Sequence, residues 1–237
     1  MAAELERVLT SLLREPVKVT AAGRTDAGVH ATGQVISFRS AASFPFDRLA
    51  AAANAELPDD IAIKRAGVVD ENFSARFCAV ERAYVYAVYN EAQRTPLMSR
   101  WASHVWHQLD PAAAQAGARY LIGEHDFRSF CGSLPQSGPT VRTVSALNVT
   151  RLGPLLRIEV RADGFLHHMV RTIVGTLLEC ATGRRSPSSL KDVLEARQRP
   201  AAGPTAPPQG LYLAGVRYRD GFDSFAEPPV FGRCLAP

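Results

Sequence analysis

Helical and strand-like segments alternate along this chain, and that alternation predicts an α+β protein with helices packed on an antiparallel sheet in two units. Three observations carry the prediction. Leu5, Val8, Leu9, Leu12 and Leu13 open the chain at helical spacing. Strand-like runs follow; in the clearest, Tyr84, Tyr86 and Val88 share one face. A Pro-containing stretch at 95–98 then breaks the pattern and divides the chain into 1–103 and 104–237.

Taken in order, residues 3–14 form an amphipathic helix stopped by Pro16, and 17–20 a short strand. A tight turn follows at 23–28, then strand character from Val29 to Phe38. Asp47 caps a second helix that Leu57-Pro58 closes. Residues 61–69, 80–90 and 100–108 read as strands. Asp110-Pro111 starts a helix with a cap and a proline in the first turn, ending near Leu121. Strands at 141–150 and 154–161 precede a helix over 164–182 and a shorter one over 188–197. A Pro-rich linker at 200–208 leads to a last strand at 211–218, and the tail from Gly221 is irregular.

The 237 residues are enough to bury a sizeable core, and 46% hydrophobic content with 21% charge excludes a disordered chain. No apolar run has the length of a membrane span, and the acidic N-terminal residues lack the apolar stretch of a secretory signal, so a cytoplasmic protein is expected. Cys78, Cys131, Cys180 and Cys234 are scattered without metal spacing and read as reduced thiols. Up to residue 103 there are 12 basic and 12 acidic residues; beyond it there are 15 and 11, so the net charge of +4 lies in the second part. Only Lys18, Lys64 and Lys191 of the basic residues are not Arg, which suits phosphate recognition or reflects genomic base composition.

Asp26 stands apart from every other acid. Gly23 and Gly28 flank it, Arg24 precedes it by two residues and His30 follows by four. Glycines there let the backbone approach a ligand closely. A loop Asp is commonly a turn residue bonded to nearby amides. Against that, the chain has no phosphate loop, no zinc helix and no second carboxylate close in sequence, so a lone acid here suits covalent attack at a sugar carbon. Arg171 falls among Met169, Val170, Ile173 and Val174 on a helix buried on most sides, where it needs a partner. That partner is either an ordinary carboxylate or Asp26, which the guanidinium would keep charged at a water-poor site. His167 and His168, adjacent on a helix, would point about 100° apart and read as structural rather than as shared metal ligands. Tyr86 reads as core. Tyr84, next to Arg82, is either core or a surface for an unstacked base.

The segments Gly23-Arg-Thr-Asp-Ala-Gly-Val-His-Ala-Thr-Gly-Gln-Val35, Leu57-Pro-Asp-Asp-Ile61, Phe73-Ser-Ala-Arg-Phe77, Arg82-Ala-Tyr-Val-Tyr86, Gly123-Glu-His-Asp-Phe127, Phe165-Leu-His-His-Met-Val-Arg171 and Gly210-Leu-Tyr-Leu213 together resemble the TruA-type tRNA pseudouridine synthases over roughly residues 3–218. The resemblance implies two ferredoxin-like halves sharing a mostly antiparallel sheet, with helices on one face. It also implies isomerisation of uridine to pseudouridine at nucleotides 38, 39 and 40 of the tRNA anticodon stem-loop, by a homodimer that uses no cofactor and no metal. By the same resemblance Asp26 is the nucleophile, Tyr84 contacts the base, Arg171 partners the Asp and Arg24 helps displace the base. Members begin with a strand and a Gly-Trp-Gln-type segment, whereas this chain opens on its first helix at Ala3, so the first strand of the N-terminal half is expected to be missing. Ser74 stands where many relatives carry His.

A rival reading from another class follows from that departure: an RNA-binding protein on the same scaffold whose catalysis is impaired. It predicts salt-dependent tRNA binding without product. A nucleoside glycosidase would need a second acid, for which there is no strong candidate.

Overall fold

A computed structural model describes residues 1–134, 138–219 and 221–231. In chain order its principal elements are α1 (Ala2–Leu13), β1 (Thr20–Ala21), β2 (His30–Ala31), β3 (Ile36–Ser37), α2 (Phe46–Asn54) and β4 (Ala79–Tyr89). After them come β5 (Ser103–His104), α3 (Pro111–Ala118), β6 (Gly123–Asp126), β7 (Val141–Leu152), β8 (Leu155–Ala162), α4 (Met169–Ala181), α5 (Ser189–Ala196) and β9 (Leu211–Tyr218). The architecture is α+β around a large, mostly antiparallel sheet, as the alternating pattern predicts. Contacts divide the chain into two compact units. One comprises Met1–Arg24 with Val35–Ala79, the other Thr25–Gln34 with the described residues from Val80 onward.

In the first unit α1 buries Leu5, Val8, Leu9 and Leu13, the stripe its spacing predicts, and ends at Arg14 in the left-handed conformation. Leu5 and Val8 pack with Ala53 and Leu57, while Leu9 and Leu13 pack with Val17 and Leu49. Thr20 and Ala21 pair antiparallel with Ser37 and Ile36 in a two-stranded sheet. The expected strand at 61–69 does not form. Only Ile61 and Ile63 turn toward the core, and Val68 and Val69 are exposed. The Asn54 side chain, bonded to both the N–H (2.7 Å) and the carbonyl (2.8 Å) of Ile63, supplies locally what a partner strand would. Pro45, not Asp47, occupies the N-cap of α2.

The second unit holds a seven-stranded sheet in the order β2-β9-β4-β8-β7-β6, with β5 added to β4. Its period of two sorts the faces. Leu156, Ile158 and Val160 of β8 stand beside Val88, Tyr86 and Tyr84 of β4, and all six are buried. The alternate positions of β8 carry Arg157, Glu159 and Arg161, joined in ion pairs of 2.6–2.7 Å. Helices α3, α4 and α5 pack together, α3 resting on β7, and α4 buries Ile173, Val174 and Leu177 completely. Asp110 caps α3 as its sequence predicts, its carboxylate accepting from the Ala112 N–H with Pro111 in the first turn. The expected strand at 100–108 shrinks to two residues, pairing with Val88 and Tyr89.

Candidate active site

The strand character after Asp26 resolves into two short pieces, and the break positions the acid. The Asp26 carbonyl accepts from the Val29 N–H at 3.1 Å, closing a turn in which Gly28 has φ 79°. That is the third position of a type II turn, which needs positive φ and hence glycine. His30 and Ala31 then run parallel to Tyr212 and Leu213. The Thr32 and Gly33 N–H groups both converge on the Leu213 carbonyl, which takes the chain out of the ladder. Gly33 lies so close to β9 that a Cβ there would sit 2.0 Å from the Ala214 carbonyl oxygen. From the other side the Ser224 hydroxyl donates to the Gly33 carbonyl (2.6 Å), and the Thr32 hydroxyl donates to that of Ala226 (2.7 Å). The tail, which reads as irregular, is therefore a clamp on the Asp26 segment; Cys234 lies outside the described residues.

Opposite stands Arg171, in the first turn of α4. Its Nη1 donates to Oδ2 of Asp26 at 2.8 Å and its Nε to the Ala206 carbonyl at 2.8 Å. The Pro-rich stretch at 200–208 is no linker but a strap across α4. The Ala206 N–H donates to the Arg171 carbonyl, and the Gly203 N–H to the Thr176 hydroxyl. The Tyr86 hydroxyl, a core group as expected, donates to the Pro207 carbonyl. Arg199 ties the strap to itself through the carbonyls of Ala202 and Gly203 and the Thr205 hydroxyl.

The expected helix over 164–182 begins only at Met169, because His168 adopts φ 60° and ψ 4°. The histidine pair is therefore not helical, and its two rings do not diverge as helical spacing predicts. They stack with centroids 3.7 Å apart, and His168 Nε2 lies 3.3 Å from Oδ2 of Asp26. Desolvation pushes the His168 pKa below its ordinary value; Asp26 opposes this, while His167, Arg171 and Arg199 add to it. The ring is accordingly neutral near pH 7, so its 3.3 Å approach to Asp26 is not a pair of opposite charges. Ligand atoms of Asp26, His167 and His168 lie within 4.8 Å of one another, close enough for a small cation. The guanidinium already on Oδ2 makes the place unfavourable for further positive charge, so the group reads as a carboxylate cradle.

Tyr84 projects from β4 on the face bearing Tyr86 and is 8% exposed, its ring edge-on to Phe165 with centroids 5.0 Å apart. Burial, then the charge of Asp26, raises its phenol to about 12 against a weaker opposing effect of Arg82. The second unit thus brings together Asp26, Tyr84 and Arg171, adding His168, the strap and the tail. Arg24 is exposed and belongs to the first unit. Of the additions, only the start of α4 left a sequence signal: Asp163-Gly164 is a turn dipeptide ahead of the histidines.

The sequence matches the family described as tRNA pseudouridine synthase over residues 2–78 and 118–219. Among similar curated proteins, tRNA pseudouridine synthase A of Shewanella sediminis is 42% identical over 231 residues, 97% of this chain and 88% of the relative. That of Bacillus subtilis is 44% identical over 217 residues, 91% of this chain and 88% of the relative. With both the family match and these identities spanning most of its length, the chain belongs to the tRNA pseudouridine synthases, which are isomerases.

Proposed function

We propose that the protein isomerises uridine to pseudouridine in the tRNA anticodon stem-loop, at nucleotides 38–40, with Asp26 as nucleophile and no cofactor. The observation that carries this reading is the 2.8 Å contact between Arg171 and Oδ2 of a 30% exposed Asp26, which pairs the acid while leaving it open to a substrate. The reaction breaks C1′–N1, forms C1′–C5 and moves one proton from C5 to N1. Nothing enters or leaves in sum, and a carboxylate that bonds transiently to the nucleoside is returned intact. Reaching Asp26 requires the base to leave its stack, at a cost of a few kcal/mol. Arg24, two residues before the acid, displaces the base, and the Tyr84 ring forms a wall against it. The phenol of Tyr84, raised to about 12, keeps its proton at neutral pH and does not serve as the base that takes one.

Binding of tRNA draws on the basic excess beyond residue 103, 15 against 11. The division of the chain at 103/104 separates the part carrying the nucleophile loop from the part carrying Arg171. The enzyme acts as a homodimer in the cytoplasm. No described helix is long and apolar enough to cross a membrane. The test is to incubate the protein and an Asp26→Asn variant with unmodified tRNA and map pseudouridine. Product with the first and none with the second is expected. Equal product would refute the assignment, and salt-dependent binding without product would favour the catalytically impaired RNA-binding protein.

A further inference from the structure

We infer that His168 is a positioning residue of the isomerisation: together with Arg171 it holds Oδ2 of Asp26 and so presents Oδ1 to the substrate. The inference rests on the reading of Asp26 as nucleophile. Both contacts fall on one oxygen, His168 Nε2 at 3.3 Å and Arg171 Nη1 at 2.8 Å. A carboxylate oxygen facing Nε2 favours the tautomer with the proton there, so the neutral imidazole turns the positive end of its dipole toward the anion. The carboxylate cannot rotate without giving up the Arg171 hydrogen bond and the His168 contact, and Oδ1 is left to attack. The His168 and Asp26 side chains each keep about 30% exposure, which a group serving a substrate needs and a core histidine does not.

The molecule holds this ring in place against its backbone preference. His168 occupies the left-handed region, which is uncommon for a residue with a β-carbon and gathers at functional sites. Three contacts enforce it. The Gly132 N–H donates to the His167 carbonyl at 2.8 Å, Ser133 Oγ bonds to His167 Nδ1 at 2.7 Å, and the His167 ring stacks on His168. Gly132 itself touches the ring: a Cβ there would lie 2.7 Å from His168 Nδ1 and 3.0 Å from its Cβ. A larger residue at 132 would therefore displace the imidazole while leaving Asp26 and Arg171 untouched.

A neutral ring orients the carboxylate through its dipole without neutralising it, whereas an imidazolium would hold the anion back from attack. The charged and titratable groups acting on the ring are Asp26 on its loop, His167 and Arg171 beside it, and Arg199 on the strap. With the His168 pKa below 6.5, the ring is neutral above that lowered value and charged below it. The rate should therefore fall as pH drops through a point below the ordinary histidine value.

The experiment measures kcat, KM and the pH profile of pseudouridine formation on unmodified tRNA for wild type, His168→Gly, His168→Gln, Gly132→Ala and Asp26→Asn, with melting curves for each. Glycine suits the left-handed backbone, so His168→Gly should fold while losing the ring's contact with Asp26. Its kcat should fall about 10- to 100-fold with KM within about two-fold, as expected for a misplaced reacting group. His168→Gln, whose amide nitrogen reaches the place of Nε2, should recover most of that loss and lack the acid limb. Gly132→Ala should lower kcat in wild type and have no further effect in the His168→Gly background. A folded His168→Gly with wild-type kcat and pH profile, or with a changed KM alone, would overturn the inference, as would additive effects of the two glycine-site changes. An active Asp26→Asn would instead overturn the nucleophile reading, so the two failures are told apart.

Discussion

Arg171 and Ala206 exchange two hydrogen bonds: the Arg171 Nε donates to the Ala206 carbonyl at 2.8 Å, and the Ala206 N–H donates to the Arg171 carbonyl at 3.0 Å. The guanidinium fork is thereby fixed at its base by a segment thirty-five residues away in sequence, and Nη1 is aimed at Asp26. A flexible cation could supply the same charge. What the exchange adds is direction, which a short charge-assisted contact requires.

Arg171→Lys tests direction against charge. An ammonium reaches Asp26 or Ala206, not both, so the variant keeps the positive charge and loses the forked geometry. A charge-assisted hydrogen bond is worth about 1.5–3 kcal/mol, so kcat should fall about 10- to 100-fold, with a smaller change in tRNA affinity. Single-turnover rates with unmodified tRNA and a separate binding titration check it; a wild-type rate would mean that charge alone is sufficient.

Gly175→Ala tests the strap. A Cβ at 175 would sit 1.8 Å from the Pro204 carbonyl oxygen, which is backbone and has no rotamer to yield. The strap must lift, and Ala206 with it. Overpacking of this kind costs about 1–3 kcal/mol, readable as a lower urea midpoint at unchanged slope. Activity should decline in parallel at temperatures where the variant is still folded, because Arg171 loses its anchor. A destabilised variant with full activity would separate the strap from the site.

The sequence carried some of this and not the rest, for identifiable reasons. Local signals were faithful: the α1 stripe at Leu5, Val8, Leu9 and Leu13, the Asp110-Pro111 start of α3, and the shared face of Tyr84 and Tyr86 each depend on spacing within a few residues. The Gly-flanked Asp26 was legible because its turn is closed by its own neighbours. The strand at 61–69 failed because β-propensity describes a half-buried surface, and only two of its residues found one. The strap and the tail were illegible because their roles lie in bonds to backbone groups of α4, β9 and the Asp26 segment, distant in sequence, which leave no pattern in side-chain polarity. His168 was misread for a single dihedral angle: once φ is positive, helical geometry no longer places its ring.

Ser224→Ala tests the clamp formed by the tail. The Ser224 hydroxyl donates to the Gly33 carbonyl at 2.6 Å and accepts from the Val216 N–H at 2.9 Å, so its removal leaves both buried groups without that partner. Stability should fall by about 1–2 kcal/mol, seen in chemical denaturation. Amide exchange at Thr32 and Gly33, whose N–H groups bond to Leu213, should speed up as the Asp26 segment loosens. Unchanged exchange there would show that β9 alone holds the segment.

Tyr84 gives a prediction at alkaline pH. Its phenol is raised from 10.0 to about 12, first by burial and second by the charge of Asp26, so the folded chain binds that proton more tightly than the unfolded one. The stability this confers is complete below pH 10 and is lost as pH rises to about 12, amounting to about 2–3 kcal/mol across the window. Tyr84→Phe has no proton to lose and should show a correspondingly smaller drop in urea midpoint between about pH 8 and about pH 11. Tyr86 and Tyr212 are also shifted upward by burial, and because both remain in the variant they cancel from the comparison. The phenol is protonated throughout the working range, so Tyr84→Phe should not remove any basic limb of the rate profile below pH 10. Loss of such a limb in the variant would make Tyr84 a proton acceptor and contradict its place as a buried wall of the site.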